Sequence, residues 1–113
     1  MQHFNQGFYV IGASNTIEEL TQDERQRFTR LFIYQGKAGG ATPGLLTDNA
    51  ADIFLGIQGS GDRMTPDKLS PGDPPLIYQL LADQEPMRLK NIIIQGTAGD
   101  GVFYYFDNPP PKK

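Results

Sequence analysis

Apolar and polar residues alternate along several short stretches of this chain, and segments rich in glycine and proline separate them. The clearest stretch is "FTRLFIYQ" at residues 28–35, where alternate side chains would lie on opposite sides of a strand. Comparable β-branched and aromatic stretches lie at residues 8–11, 53–57, 76–83, 91–95 and 102–106. The pattern therefore predicts about six short strands.

Residues 16–27 fit two local structures. Thr16 followed by Glu19 resembles the capping box of a helix, and Ile17 and Leu20 fit one helical stripe. Glu24 interrupts that stripe, because a helix buried on one side would carry an apolar residue there. We favour a loop over this segment, and a short helix is the alternative.

Two long Gly/Pro-rich loops, residues 36–50 and 59–75, connect the predicted strands. The 113 residues are enough for one domain with one modest core. Short strands joined by such turns predict an all-β fold, a small antiparallel β-sandwich or barrel. We divide the chain into an N-terminal arm at 1–7, a β domain at 8–106 and an extended Pro-rich tail at 107–113.

The stretch "IIIQGTAGDGVFYYF", residues 92–106, contains a glycine-rich loop that resembles a phosphate cradle. A phosphate loop leads into the N-terminus of a helix and carries a lysine, but here a strand-forming stretch follows without a lysine. We therefore predict a hairpin turn, with Asp100–Gly101 in left-handed conformations. The aromatic residues 103–106 would lie on both faces of the last strand, one face in the core and the other against a second sheet or a partner.

Charge and composition narrow the function. The net charge is −3, and Arg25 and Arg27 lie beside Asp23 and Glu24, so the basic surface of a nucleic-acid-binding protein is missing. There is no cysteine, hence no disulfide and no thiolate metal site. No apolar run approaches the roughly 20 residues that span a bilayer, and the N-terminus does not resemble a signal peptide.

Candidate chemistry is sparse. His3, the only histidine, lies in the predicted arm, where a catalytic base would not be held in position. The pairs Asp48/Asp52 and Asp62/Asp67 supply too few closely spaced oxygens for a calcium loop. We expect no catalytic residues, no metal and no cofactor.

The order of the stretches "RLFIYQG", "DIFLGIQG", "KLSPGDPP" and "LKNIIIQGTAGDGVFYYF" resembles small β-rich virion structural proteins of tailed bacteriophages. The resemblance covers roughly residues 16 to 106. It implies a protein without catalytic residues that decorates or cements a capsid, or that lies at the head–tail junction or in the tail. The expected partners are the major capsid protein, or another virion protein, and further copies of the chain, with a trimer as the expected oligomer. The expected location is the virion, after synthesis in the host cytoplasm.

The terminal segments and the exposed side of the last strand would then contact neighbouring subunits. The residues that we assign to this interface are Phe4, Phe8, Tyr9, Tyr105, Pro109, Pro110 and Pro111. The alternative is a tail-associated module that binds a receptor or a glycan, with the loops 36–50 and 59–75 as its binding rim.

Overall fold

The computed structural model describes residues 5–38, 46–58 and 67–109. Its strands are β1 (Asn5–Val10), β2 (Glu18–Glu19), β3 (Arg27–Phe28), β4 (Arg30–Gln35), β5 (Lys37–Ala38), β6 (Leu46–Thr47), β7 (Ile53–Ile57), β8 (Asp67–Leu69), β9 (Leu76–Gln79), β10 (Met87–Arg88), β11 (Ile92–Gln95) and β12 (Gly101–Phe106). A single 3-10 turn at Leu89–Asn91 lies between β10 and β11. Each of the six predicted strands is present, with its ends moved by up to four residues.

Two four-stranded antiparallel sheets form the body of the molecule. Sheet A has the strand order β1-β12-β4-β9, and sheet B has the order β2-β11-β7-β8. The pairs β3–β10 and β5–β6 form two short additional ladders. The predicted all-β antiparallel class is confirmed. Both sheets end in edge strands, so the described strands form an open sandwich and not a closed barrel.

Residues 16–27 adopt the loop alternative, and the described chain has no α-helix there. The short strand β2 pairs with β11, and the N–H of Leu20 donates to the carbonyl of Ile92 at 2.9 Å. This pairing turns Leu20 into the core, where only 2% of its surface is exposed. The apolar residue that fits a helical stripe in the sequence is therefore buried as part of a sheet edge.

The core lies between the inner faces of the two sheets. Sheet A contributes Leu31, Ile33, Val102, Tyr104 and Phe106, and sheet B contributes Ile53, Leu55, Ile92 and Ile94. Phe28 and Leu89 are fully buried beside them. The burial of these side chains is the main stabilising contribution to the fold, at about 25 cal/mol per Å² of apolar surface removed from water.

The glycine-rich loop at residues 96–100 is not a hairpin, so this prediction is wrong. It connects β11 in sheet B to β12 in sheet A, and the two strands do not pair with each other. Gly99, with φ of 94°, is the left-handed residue of the loop, rather than Asp100 or Gly101. The reason is that the apolar residues of β11 and β12 face each other across the core, which requires the strands to lie in different sheets.

The sheet begins three residues before the predicted start of the domain, and residues after its predicted end still contact it. Residues 5–7, predicted to belong to the arm, are the first half of β1 and pair with Tyr104–Phe106. After β12 the buried carboxylate of Asp107 accepts hydrogen bonds from the N–H of Thr29, at 2.8 Å, and from its hydroxyl. The side chain of Asn108 accepts from the N–H of Arg27 at 3.0 Å. These contacts hold the start of β1 and the residues after β12 against the rest of the molecule.

The loop at residues 96–100, which crosses from sheet B to sheet A, is attached by buried polar groups to the loop before β7. The Asn49 side chain donates to the carbonyl of Gly101 at 3.0 Å and accepts from its N–H at 2.9 Å. The Asp100 carboxylate accepts from the N–H groups of Ala50 and Ala51, at 2.9 and 3.2 Å, and lies 3.6 Å from the Lys37 ammonium. We call the contacts of Asn49 and Asp100 the crossover network.

Replacing Asn49 by alanine should destabilise the protein by about 2–3 kcal/mol, because the buried N–H and carbonyl of Gly101 lose their side-chain partner. Urea denaturation followed by circular dichroism measures this difference. Asp48→Ala is the matched control, since this neighbouring carboxylate is exposed and accepts one bond from Gln35. Its cost should stay within about 0.5 kcal/mol. Equal losses in the two variants would contradict the role assigned to Asn49.

Candidate functional site

The outer side of sheet A carries a continuous group of aromatic and apolar side chains. Because side chains alternate along a strand, the inward direction of Leu31, Ile33 and Tyr104 turns their neighbours outward. We define the aromatic face as Phe8, Phe32, Tyr34, Ile77, Phe103 and Tyr105.

Strand register arranges the aromatic face in two rows across the sheet. In one row Phe103 of β12 lies between Phe8 of β1 and Tyr34 of β4. In the next row Tyr105 lies beside Phe32, which is paired with Ile77 of β9. Residues from all four strands of sheet A thus form one surface.

The rings within each row and between rows contact each other. Phe8 and Phe103 pack edge to face with ring centroids 4.8 Å apart, and Tyr34 and Tyr105 do so at 5.7 Å. These pairs have the geometry that the aromatic quadrupole favours. Even so, Tyr34 is 38% exposed, Tyr105 37% and Ile77 56%. The rings are ordered by one another and still offer a large part of their surface to solvent.

Charge is sparse on this side of sheet A. The two rows of the aromatic face contain no ionisable group apart from the tyrosine hydroxyls, and Gln6 stands beside Tyr105 on β1. The row that follows holds Arg30, opposite Gln79. A surface that is aromatic at its centre and charged only at its border has the composition of a protein–protein contact.

The structure brings together only part of the predicted interface. Phe8 and Tyr105 lie on the aromatic face, whereas Tyr9 points to the other side of β1 and packs against the core. Pro109 follows the last sheet contacts and is half-buried. Phe4, Pro110 and Pro111 lie outside the described residues.

Four members of the aromatic face were not among the predicted site residues: Phe32, Tyr34, Ile77 and Phe103. The sequence carries a signal for three of them, because Phe32 and Tyr34 alternate with Leu31 and Ile33, and Phe103 alternates with Val102 and Tyr104. Alternation alone does not say which set points outward. That choice depends on which side of β4 faces sheet B.

Tyr9 and Glu18 form a polar contact between the edges of the two sheets. The Tyr9 hydroxyl donates to Glu18, which also accepts from the N–H groups of Gly12 and Ala13 at 3.1 and 2.9 Å. The Tyr9 hydrogen bond is the main cause that lowers the pKa of Glu18. Burial, followed by the hydrogen bond and charge of Glu18, raises the pKa of Tyr9 to about 12.

These shifts set a pH window for the stabilisation by this contact. The folded pKa of Glu18 lies below the unfolded one, so its contribution is present above the unfolded pKa and is lost as pH falls through the folded pKa. The folded pKa of Tyr9 lies above the unfolded one, so its contribution is present below the unfolded pKa and is lost as pH rises toward about 12. Both contributions are present at neutral pH.

Tyr9→Phe should raise the pKa of Glu18, since it removes the largest cause that lowers it. An NMR titration of the Glu18 side-chain carboxyl carbon measures the change. Tyr105→Phe removes a hydroxyl from the opposite side of the sheet and should leave the Glu18 pKa where it is. If Tyr9→Phe leaves the Glu18 titration unchanged, the hydrogen bond is not the cause of the shift.

A groove of about 370 Å³ lies at one end of the outer face of sheet B, beside Phe54. The Phe54 ring is 36% exposed, and Gln95, its partner across the strands, donates to the carbonyl of Asn15 at 3.1 Å. The side chains of Asn15, Asp52 and Thr97 also line the groove. None of these three side chains hydrogen bonds within the described part of the chain. We call this site the Phe54 groove.

Of the four carboxylates singled out in the sequence, the three that the structure describes do not converge. Asp48 accepts from the Gln35 side chain at 3.2 Å, and Asp67 accepts from the Tyr78 hydroxyl at 2.8 Å, while Asp52 lines the Phe54 groove. Asp62 and His3 lie outside the described residues. Within residues 5–38, 46–58 and 67–109 no group of three or more His, Cys, Asp or Glu side chains could hold a metal ion.

The same described ranges contain no helix with the length and apolar character that crossing a bilayer requires. Comparison of the chain with protein-family models, with curated proteins and with solved structures gave no match.

Proposed function

We propose that this protein is a non-enzymatic virion structural protein that cements or decorates a capsid. The aromatic face is the observation that carries the proposal, with the resemblance in element order to phage structural proteins as its second support. The proposed partner is the major capsid protein or another virion protein, and the protein acts as a homo-oligomer. Its proposed location is the virion, after synthesis in the host cytoplasm.

The aromatic face has the chemistry of a docking surface. Exposed aromatic side chains bury much apolar area at a small cost in conformational entropy, and they are common at the energetic centres of interfaces. Tyr34 and Tyr105 also retain hydroxyl groups for hydrogen bonds with a partner. A shell subunit that covers these rings would remove water from one side of the sandwich without any change of fold.

The size of the face bears on the mechanism. Four strands about 4.8 Å apart, with same-side rows repeating about every 6.7 Å, give the two rows an area of roughly 250 Å². A stable interface buries about 800 Å² per partner, so one copy of the aromatic face is too small by itself. In the proposed mechanism the terminal segments add contact area along the neighbouring subunits, and the burial of their apolar side chains contributes to the free energy of binding.

Purified virions of the phage that encodes this chain should contain it in a fixed ratio to the major shell protein, as quantitative mass spectrometry of the particles measures. Its absence from particles would end the proposal.

The double variant Tyr34→Ser/Tyr105→Ser should then bind at least about thirtyfold more weakly to particles lacking the protein, because losing aromatic anchors at an interface costs 2 kcal/mol or more. Leu81→Ser is the matched control, since Leu81 is 70% exposed and lies outside the aromatic face. Circular dichroism establishes that both variants fold. Unchanged binding of the double variant would show that the shell contact lies elsewhere.

The Phe54 groove supports a second candidate, a tail-associated module that binds receptor glycans. One face of a sugar ring is rich in C–H groups and can stack on an exposed aromatic ring, whose face is electron-rich. Its hydroxyls can pair with the carboxamide, carboxylate and hydroxyl groups of Asn15, Asp52 and Thr97. The groove is formed by residues 15, 51, 52, 54 and 95–97, so it lies outside the predicted rim at 36–50 and 59–75.

An array of bacterial surface glycans, followed by calorimetry on any positive sugar, tests the second candidate. Phe54→Ser should abolish the signal, because it removes the stacking platform, and Asp52→Ala should weaken it. Tyr105→Ser, which removes a ring from the opposite sheet, should leave sugar binding intact. Absence of any array signal, or equal loss in the Phe54 and Tyr105 variants, would contradict a sugar site at this groove.

A further inference from the structure

The edges of the two sheets differ in how they are protected against pairing with another strand. Exposed edge strands are normally short, charged or interrupted by proline, since their free main-chain groups otherwise attract further strands. In sheet B, β2 has two residues, both glutamates, and β8 has three, including Asp67 and Lys68. In sheet A, β9 follows directly on Pro74 and Pro75.

The remaining edge, β1, has none of these protections. It is six residues long, reads "NQGFYV", and contains no proline and no charged side chain. Its single partner among the described strands is β12, and Asn5, Gln6 and Val10 are exposed. An unprotected edge of this length is the part of the molecule best suited to pair with another strand.

Hydrogen-bond alternation shows which main-chain groups of β1 are available. The N–H of Ile11 donates to the carbonyl of Asp100 at 2.8 Å, so the main-chain groups of Ile11 point toward β12. In an antiparallel pair the main-chain groups of every second residue point the same way, so those of Tyr9 and Gly7 also point toward β12. The N–H and carbonyl groups of Gln6, Phe8 and Val10 therefore point away from the sheet.

We propose that β1 pairs with β1 of a second copy, antiparallel and across a two-fold axis. An isologous contact needs a surface that complements itself, and an uncharged strand meets this condition without like-charge repulsion. With Phe8 opposite Phe8 of the second copy, Gln6 lies opposite Val10, and all the outward main-chain groups of these residues have partners. The two copies of sheet A then form one eight-stranded sheet.

This pairing also explains how a small aromatic face can serve as a docking surface. Phe8 lies on β1, so the two aromatic faces become continuous across the new strand pair. Their combined area is roughly 500 Å², more than half the share of about 800 Å² that one partner contributes to a standard interface. The inference specifies the self-association within the proposed function, and its test uses the isolated protein, so its outcome is independent of particle binding.

Hydrogen exchange on the wild-type protein gives the first test. The amides of Gly7 and Tyr9, which bond to β12, should be protected at every concentration. The amides of Gln6, Phe8 and Val10 should be protected only at concentrations where sedimentation equilibrium gives the mass of a dimer. A trimer, a monomer at all concentrations, or a dimer in which these three amides exchange freely would overturn the proposal.

The double variant Gln6→Lys/Val10→Lys gives the second test. It places lysines opposite each other in the proposed pair and should weaken dimerisation by roughly tenfold, because like charges directly across strands repel. Ile77→Lys/Gln79→Lys is the matched control, since it puts the same two charges on the same side of sheet A at the opposite edge. It should leave the dimer constant unchanged. Equal weakening by the control would place the contact on the sheet face and would overturn pairing through β1.

Discussion

The buried carboxylate of Asp100 is the constraint on which the arrangement of the two sheets depends. Asp100 is 1% exposed and lies where the chain leaves sheet B for sheet A, and a charge in that position is tolerated only with partners. The N–H groups of Ala50 and Ala51 and the ammonium of Lys37 supply them. Asn49 adds a paired contact to Gly101. The loop before β7 and the first residue of β12 are thereby held together, which fixes where β12 enters sheet A.

The position of β12 in turn determines both sides of sheet A. As an inner strand between β1 and β4, it places Val102, Tyr104 and Phe106 in the core and turns Phe103 and Tyr105 toward solvent. The same strand leaves β1 as an edge whose outer main-chain groups have no partner strand in the described structure. The aromatic face and the β1 edge are thus two consequences of one strand placement, and the proposed contacts with a virion protein and with a second copy use these two surfaces.

Several predictions from the residues correspond closely to the structure, and each of the failures has its own physical reason. The six strands and the all-β class follow from alternation and from the turn residues between them. The hairpin at 96–101 is wrong because strand pairing between neighbours in sequence is a default that core packing overrides when both strands are apolar on facing sides. Tyr9 was grouped with Phe8, but adjacent residues in a strand point to opposite sides. The function, the partners and the virion location remain proposals.

The sequence by itself determined the elements of this protein: short strands, glycine and proline turns, an uncharged first strand and a strongly aromatic last one. These are local properties, set by side-chain periodicity and by the backbone preferences of a few residues. Only the tertiary structure decided which side of each strand is core, which strands are edges and which polar groups meet at Asn49 and Asp100. Those outcomes depend on contacts between residues about 50 positions apart, as at Asn49 and Asp100, and on strand pairs such as β1–β12 that lie farther apart still. Such contacts leave no periodic signal in the sequence.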